Sequence, residues 1–160
     1  MNPKIKKTAF ILVLLSVYVI SSAFFYNKKG GCDSDGLYAE AVLKLKKYTL
    51  IEEYPFYIKK KKKSGPIEFK KQIITLNNGV KYKFFTVKNP EYDGQPILSI
   101  YNNEKQEFLL GSTYNASMKK FYNEIEFECK STGNYCLSLS FHDGQEGCAI
   151  GIFASLIKAN

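Results

Sequence analysis

The sequence contains no arginine and no tryptophan, and it has a single histidine, His142. Without arginine it lacks the planar, bidentate guanidinium group that reads guanine edges and clamps phosphates, so we expect no nucleic-acid partner. One histidine and no reactive serine motif leave a hydrolase triad without a base. The four cysteines show neither a CxxC pair nor a Cys/His metal spacing. These absences predict a non-enzymatic protein with no cofactor and no metal.

Most of the chain also lacks net charge, because the total of +8 comes from the first 63 residues. Residues 1–63 contain thirteen lysines and five acids, a balance of +8, whereas residues 64–160 contain ten of each. A globular part with zero net charge lacks the electrostatic footprint of a nucleic-acid binder. The positive charge therefore belongs to the N-terminal region and to the residues that directly follow it.

A run of nineteen uncharged residues, Thr8 to Tyr26, follows the lysines Lys4, Lys6 and Lys7. About 20 residues at a rise of about 1.5 Å cross the hydrocarbon core of a bilayer as a helix. Residues 1–29 are therefore predicted to be an N-terminal membrane anchor or signal. The side chains expected to contact lipid are Phe10, Ile11, Leu12, Leu14, Leu15, Val17, Val19 and Ile20.

Two interpretations of this segment remain open, and both export the rest of the chain into the bacterial cell envelope. As an uncleaved anchor it keeps its lysines in the cytoplasm and places the domain in the periplasm, attached to the inner membrane. As a secretory signal it is cleaved after Ala23, with Ser21 as the second small residue. The run is longer than the apolar core of about 7 to 15 residues in a signal, which favours the anchor. A third alternative is a lipoprotein, because Gly30-Gly31-Cys32 is similar to the end of a lipobox.

Beyond the anchor, the apolar periodicity changes from helical to strand-like. Residues 30–53 are predicted to be a linker and one short α-helix whose apolar face contains Leu37, Ala41, Leu45 and Tyr48. Residues 54–160 alternate apolar and polar positions, with turn signals such as Asn77-Asn78-Gly79. Seven or eight short antiparallel strands predict a mainly β fold, an antiparallel β-sandwich of jelly-roll-like or immunoglobulin-like order.

Two late strands are expected to be buried in different ways. Residues 121–129 alternate between apolar and polar side chains, which predicts one core face and one wet face. Cys148 to Ile157 is apolar on both faces, which predicts a central strand or one covered by the helix. Four cysteines allow three connectivities. Cys129 and Cys148 both lie among apolar neighbours and are the preferred disulfide, the alternative being two small buried hydrophobes.

Five consecutive lysines, Lys59, Lys60, Lys61, Lys62 and Lys63, extend the first predicted strand, which runs near Pro55 to Lys61. One interpretation is contact with anionic headgroups or an acidic partner near the membrane, worth up to about 1 kcal/mol per lysine at a charged surface. The other is an edge strand whose charge blocks pairing with other chains. The sequence leaves both open.

An acidic row, Glu124, Glu126 and Glu128, occupies the wet face of its predicted strand. With a loop carboxylate such as Asp93 it has the oxygen ligands that Ca²⁺ prefers. Such a row is more often a solubilising face that pairs with lysines on the neighbouring strand, and this is the interpretation we favour.

Two further groups have a functional and an ordinary interpretation. His142 with Asp143 and Glu146 has the residue types of a metal site or an acid/base pair, but its position in a turn favours a solvated hairpin loop. A set of tyrosines could form an aromatic platform for sugars, although tyrosine is also common on half-exposed strands. These tyrosines are Tyr82, Tyr92, Tyr101, Tyr114 and Tyr122.

Between Gly79 and Phe141 the order of features resembles the bacterial pre-peptidase C-terminal domain family. The matching segments are Gly79-Val-Lys-Tyr-Lys-Phe, Pro96-Ile-Leu-Ser-Ile-Tyr-Asn and Thr132-Gly133-Asn134-Tyr135-Cys-Leu-Ser-Leu. In that family these segments build a jelly-roll-like sandwich that accompanies secreted enzymes without catalysis, so the resemblance implies the same fold here. Asn102 stands where the family has aspartate. The lysine-rich anchor followed by a small domain also resembles uncharacterised envelope proteins of Bacteroidetes.

These patterns predict a non-enzymatic, membrane-anchored envelope protein whose β-sandwich binds a protein or a surface-polymer partner. One alternative is a carbohydrate- or calcium-binding module of a secretion or surface system. Another is a secreted domain with a cleaved signal, or a lipoprotein.

Overall fold

The structure is a computed structural model that describes Cys32 and residues 34–156. The predicted anchor, Thr8 to Tyr26, lies outside these residues, as do all of its expected lipid-contacting side chains. Among the residues that are described, no helix is long and apolar enough to cross a membrane.

The described residues form one α-helix and ten β-strands, and the strands pair antiparallel. This confirms the predicted mainly β class and the short helix that precedes it. The helix, α1, is Asp35–Leu45. The strands are β1 (Thr49–Ile58), β2 (Phe69–Leu76), β3 (Lys81–Lys88), β4 (Pro96–Tyr101), β5 (Leu109–Ser112), β6 (Tyr114–Asn115), β7 (Lys120–Phe121), β8 (Glu124–Glu128), β9 (Gly133–Phe141) and β10 (Gly147–Leu156).

Eight strands form two four-stranded sheets that pack face to face as a β-sandwich. The order in the first sheet is β1-β10-β3-β8 and in the second β2-β9-β4-β5, while β6 and β7 form a separate small hairpin. Alternate side chains of both sheets fill the space between them, because successive residues of a strand point to opposite faces. Core residues without exposed surface include Leu76, Phe84, Leu98 and Leu137.

Strand β10 is buried on both faces. Ala149 and Phe153 belong to the core between the sheets, whereas Cys148 and Ile150 face the layer formed by α1. Strand β10 also lies between β1 and β3. The prediction of a strand that is central or covered by the helix is therefore confirmed in both respects. The apolar side chains that α1 packs onto this face are Leu37, Ala41 and Leu45.

The first strand differs from the prediction at both ends. Strand β1 starts at Thr49 and ends at Ile58, before the lysines. Its last partner is Gly147, where β10 begins. Because β10 offers no residue beyond that point, the chain leaves the sheet at Lys59. Residues 59–63 thus form a loop, and their interpretation as a charged edge strand is wrong.

One end of the sandwich carries four connections: residues 59–68, 89–95, 113–123 and 142–146. Cys32 lies at this end too, because it forms a disulfide with Cys148, the second residue of β10. We name it the disulfide end. The opposite end carries residues 77–80, 102–108 and 129–132.

Candidate functional site

The basic loop, residues 59–68, connects β1 of the first sheet to β2 of the second. Its five consecutive lysines, Lys59–Lys63, are all exposed. The Lys61 N–H donates to the Gly144 carbonyl at 2.8 Å, which fixes the loop to the sandwich. The Gly65 N–H donates to the Lys62 carbonyl at 3.0 Å and closes a turn. The loop therefore presents dense positive charge from a fixed point on the disulfide end.

Gly144 allows the basic loop to approach this closely. Its φ of +67° lies in the left-handed region that favours glycine. A Cβ at this position would lie 2.6 Å from the Cβ of Lys61, closer than two carbon atoms can approach. Both the backbone conformation and the loop contact thus require a residue without a side chain.

Replacing Gly144 by alanine is expected to displace the basic loop and to lower the free energy of unfolding by about 1 to 2 kcal/mol. Amide hydrogen exchange at Lys61 should accelerate, because its hydrogen bond to residue 144 is strained. Gly133→Ala is the matched control, since no atom lies within 4 Å of a Cβ at Gly133. Equal Lys61 exchange rates in the two variants would contradict this anchoring.

Large exposed apolar side chains follow the five lysines in the chain. Ile67 is 44% exposed, and Phe69, the first residue of β2, is 46% exposed. The Lys71 ammonium lies 5.6 Å from the centre of the Phe69 ring. Residues 59–71 contain seven lysines and one acid, Glu68. Cations next to exposed apolar groups suit the boundary between lipid headgroups and acyl chains.

A second basic and apolar group lies on the disulfide end, at the tip of the β6–β7 hairpin. Met118 is 61% exposed, and the exposed Lys119 follows it. The Lys120 ammonium lies 5.3 Å from the centre of the half-exposed Tyr122 ring. The hairpin is held against this end by Tyr114, whose ring packs edge-on against His142 (ring centres 4.7 Å apart).

Carboxylates border one lysine of the basic loop. A hollow on the disulfide end is lined by Lys60 together with Glu91, Asp93 and Glu146. The Tyr57 hydroxyl donates a hydrogen bond to the Glu146 carboxylate, and this bond raises the pKa of Tyr57 to about 12. Glu146 thus already has a partner in the sandwich, while the charge of Lys60 is partly offset by its surroundings.

Of the predicted group around His142, the structure brings His142 itself and Asp143 together. The His142 ring packs against Tyr114 and Phe121, and its Nδ1 lies 3.3 Å from the exposed carboxylate of Asp143. Glu146 is bonded to Tyr57, as described above. Across residues 34–156 and Cys32, no group of three or more potential metal ligands is found.

The disulfide links Cys32 to Cys148, so the predicted pairing of Cys129 with Cys148 is wrong. Cys129 lies in the core between the sheets, whereas Cys148 points to the α1 side of the first sheet. A sheet therefore separates them. A lipid at Cys32 would require the same sulfur atom that the bond to Cys148 uses. Cys136 is free and buried, and burial raises the pKa of its thiol.

In a non-reducing digest, the peptides that contain Cys32 and Cys148 are expected to be joined. Cys129 and Cys136 should resist alkylation in the folded protein because both are buried, and the raised pKa of Cys136 further lowers its thiolate fraction. Alkylation before and after denaturation, followed by mass spectrometry, checks this. Detecting Cys148 as an alkylated residue in the oxidised, denatured protein would contradict the pairing.

The acidic row lies on β8, which pairs with the lysine-bearing strand β3. The Lys83 ammonium lies 2.7 Å from the Glu124 carboxylate, and the Lys81 ammonium lies 3.9 Å from Glu128. These contacts match the interpretation of the row as a face paired with cross-strand lysines. They occupy carboxylates that a calcium ion would need.

Lys83 is a buried charge beneath α1, with its side chain only 2% exposed. Its ammonium lies 3.4 Å from the Lys44 carbonyl at the end of α1, where the helix dipole favours a cation. It also lies 5.3 Å from the centre of the Tyr48 ring. Burial raises the pKa of Tyr48 to about 12, with a smaller contribution from a hydrogen bond to Glu126. This group of charges fixes the C-terminal end of α1 on the first sheet.

The five tyrosines of the predicted sugar platform do not share one face. Tyr82 is buried in the core between the sheets. Tyr92 packs edge-on against Tyr57, and Tyr114 packs against Phe121 and His142. Tyr101 lies in β4, and Tyr122 directly follows β7 at the base of the small hairpin. The described geometry therefore supplies no continuous aromatic surface.

Strand β5 is an edge strand with an exposed apolar surface that the sequence pattern did not predict. Phe108, just before it, is 66% exposed, and Leu109 and Leu110 within it are 56% and 42% exposed. Edge strands are commonly protected against pairing by charged residues or proline. The four residues of β5, Leu-Leu-Gly-Ser, contain neither.

Sequence comparisons find no matching protein-family model and no matching curated protein for this chain. The resemblance to the pre-peptidase C-terminal domain family stays a prediction.

Proposed function

We propose that this chain is a non-enzymatic, membrane-anchored protein of the bacterial cell envelope whose β-sandwich binds a protein or surface-polymer partner. The strand order β1-β10-β3-β8 facing β2-β9-β4-β5 supports a jelly-roll-like sandwich, since eight strands divide into two four-stranded sheets when the small hairpin is set aside. The disulfide between Cys32 and Cys148 supports an oxidising compartment outside the cytoplasm.

The observation that carries the proposal is the contrast between β5 and the other edge strands of the two sheets. Strand β1 contains Glu52, Glu53 and Pro55, strand β2 contains two lysines, and strand β8 contains three glutamates. Those edges are protected against pairing. The uncharged edge of β5, with its exposed leucines, is suited to an added strand from an extended protein segment. A protein partner is therefore favoured over a polymer at this edge.

The test uses the tagged full chain, extracted from membranes with detergent, and measures which proteins co-purify. Phe108→Ser with Leu109→Ser is expected to reduce recovery of the partner about tenfold, since exposed aromatic and aliphatic anchors dominate binding energy. Val42→Ser with Leu43→Ser is the matched control, because these residues are exposed on α1 (45% and 81%) away from β5. Equal recovery with both variants would show that β5 is not the docking edge.

Membrane anchoring is tested separately. The full chain is expected to fractionate with membranes and to resist extraction by high salt, because a spanning helix is held by burial of apolar surface and not by charge. A reporter fused at Asn160 should be active only outside the cytosol. Activity confined to the cytosol would end the envelope proposal.

A further inference from the structure

We propose that the basic loop binds the anionic phospholipid headgroups of the same bilayer that holds the chain's own N-terminal segment. The inference rests on the proposed membrane anchoring and names the partner of Lys59–Lys63. It leaves the edge of β5 for the protein partner.

The first step is the place where the chain enters the domain. The Cα atoms of Cys32 and Cys148 lie 5.3 Å apart, and Tyr57 lies opposite Cys148 in the pairing of β1 with β10. Lys59 follows two residues later. The path from Cys32 to Lys59 therefore consists of the disulfide, one spacing between paired strands and two residues of chain. Together these place the Cα of Cys32 within about 20 Å of the Cα of Lys59. The disulfide thus fixes the entry point close to the basic loop.

The second step is the reach of the connecting chain. Residues 27–31 separate Tyr26, the last residue of the predicted apolar segment, from Cys32. Even a fully extended chain of this length spans only about 20 Å. A surface within this distance acts at a high effective concentration on any group that can contact it. With the proposed anchor in the bilayer, the lysines of the basic loop are within reach of its headgroups.

The third step is the chemistry of the basic loop and its neighbours. Lysine carries a compact, strongly hydrated charge that interacts with a diffuse negative layer without needing a shaped, bidentate partner. Ile67 and Phe69 follow these lysines by a few residues and are nearly half exposed. The β6–β7 tip adds Lys119, Lys120 and Met118 on the same end of the sandwich.

Carboxylates on the disulfide end are expected to weaken the binding of headgroups near them. Glu91, Asp93 and Glu146 line the hollow beside Lys60, and Asp143 is exposed next to Gly144. Lys60 is therefore expected to contribute least. An anionic lipid surface is favoured over an acidic protein because the lysines project from an exposed loop next to apolar side chains.

The test is a lysine footprint of the full wild-type chain in proteoliposomes. The bilayers are phosphatidylcholine alone or phosphatidylcholine mixed with phosphatidylglycerol, and a water-soluble acetylating reagent is followed by mass spectrometry. Acetylation of Lys59, Lys61, Lys62 and Lys63 is expected to fall about fivefold in the anionic bilayer, and high salt should reverse the effect. Five exposed lysines of the opposite end serve as internal controls and should react equally in both bilayers. These controls are Lys46, Lys47, Lys81, Lys105 and Lys130.

Equal acetylation of the basic loop in the two bilayers would overturn the inference. Soluble polyglutamate, added to the neutral proteoliposomes, then tests whether the loop binds an acidic macromolecule and not lipid. Protection by polyglutamate but not by phosphatidylglycerol means that the loop binds an acidic macromolecule, so the headgroup assignment fails while the proposed envelope function stands. If the chain is washed out of the bilayer by alkaline carbonate, membrane anchoring and the headgroup assignment fail together.

Discussion

Replacing Cys32 and Cys148 together by alanine is expected to lower the free energy of unfolding by about 4 kcal/mol. The disulfide closes a loop between residues 116 positions apart, and a cross-link of this length removes a large part of the conformational freedom of the unfolded chain. The bond also ties Cys32, which precedes α1, to β10. The apolar side of α1 packs on the same face of β10. Urea unfolding of the full chain, followed by circular dichroism, measures the change.

Two controls separate the cross-link from the loss of sulfur atoms. Cys136→Ala removes a buried thiol that forms no disulfide, so it measures the cost of a small cavity alone. A reducing agent should destabilise the wild-type chain about as much as the double substitution does, and it should leave the double variant unchanged. A wild-type stability that does not respond to the reducing agent would contradict the structural role of this bond.

Substituting Glu124 by glutamine is expected to cost about 2 kcal/mol of folding free energy. The change keeps the shape of the side chain and removes the charge that faces the Lys83 ammonium at 2.7 Å. Removing one partner of a buried pair leaves the other charge buried without compensation, which costs about 3 to 5 kcal/mol when both are buried. Glu124 is 40% exposed, so water reaches the pair and the expected cost of about 2 kcal/mol lies below that range.

Glu128→Gln on the same strand is the matched control. Its partners include Lys81 at 3.9 Å and Lys130 at 2.5 Å, and all three side chains are well exposed. Exposed ion pairs contribute about 0 to 1 kcal/mol, so this variant should unfold almost as the wild type does. Adding Lys83→Met to Glu124→Gln should recover most of the loss, because no buried charge remains. Equal stabilities of the two glutamine variants would show that Lys83 does not depend on Glu124.

The periodicity of the sequence was sufficient to predict the layers of the domain. Leu37, Ala41 and Leu45 recur at helical spacing and do form the buried face of α1. The apolar run of β10 predicted burial on both faces, which the helix on one side and the second sheet on the other provide. Such patterns are informative because the amphipathic period of an element reflects which of its faces are buried.

The disulfide was predicted wrongly for a physical reason. In β10 the residues at even and odd positions are almost equally apolar, so alternation alone does not show which set faces the helix. The apolar neighbours of Cys129 and Cys148 favour a shared core, but the packing of α1 places Cys148 on the other side of the first sheet. Cys32 lies in a linker without periodicity, and only the folded chain brings it beside Cys148.

The burial of Lys83 and the exposure of β5 were missed for a related reason. Lys81 and Lys83 alternate with Tyr82 and Phe84, a pattern typical of a strand with one wet face. The end of α1 covers that face locally, which the sequence of β3 does not reveal. Leu109 and Leu110 suggest a buried strand by composition, but their strand lies at the end of a sheet, and strand order is a property of the whole fold.

The covalent bond to β10 also sets the mechanical path through the domain. A pulling force that arrives from the N-terminal side enters at Cys32 and passes through the sulfur atoms into Cys148, so the helix between them in the chain bears no load. Strand β10 is flanked by a hydrogen-bonded neighbour on each side along most of its length, and force along the strand must shear both ladders at once. The domain is thus loaded through the strand that has the most cross-connections, which is the arrangement expected to resist tension between the proposed anchor and the proposed partner.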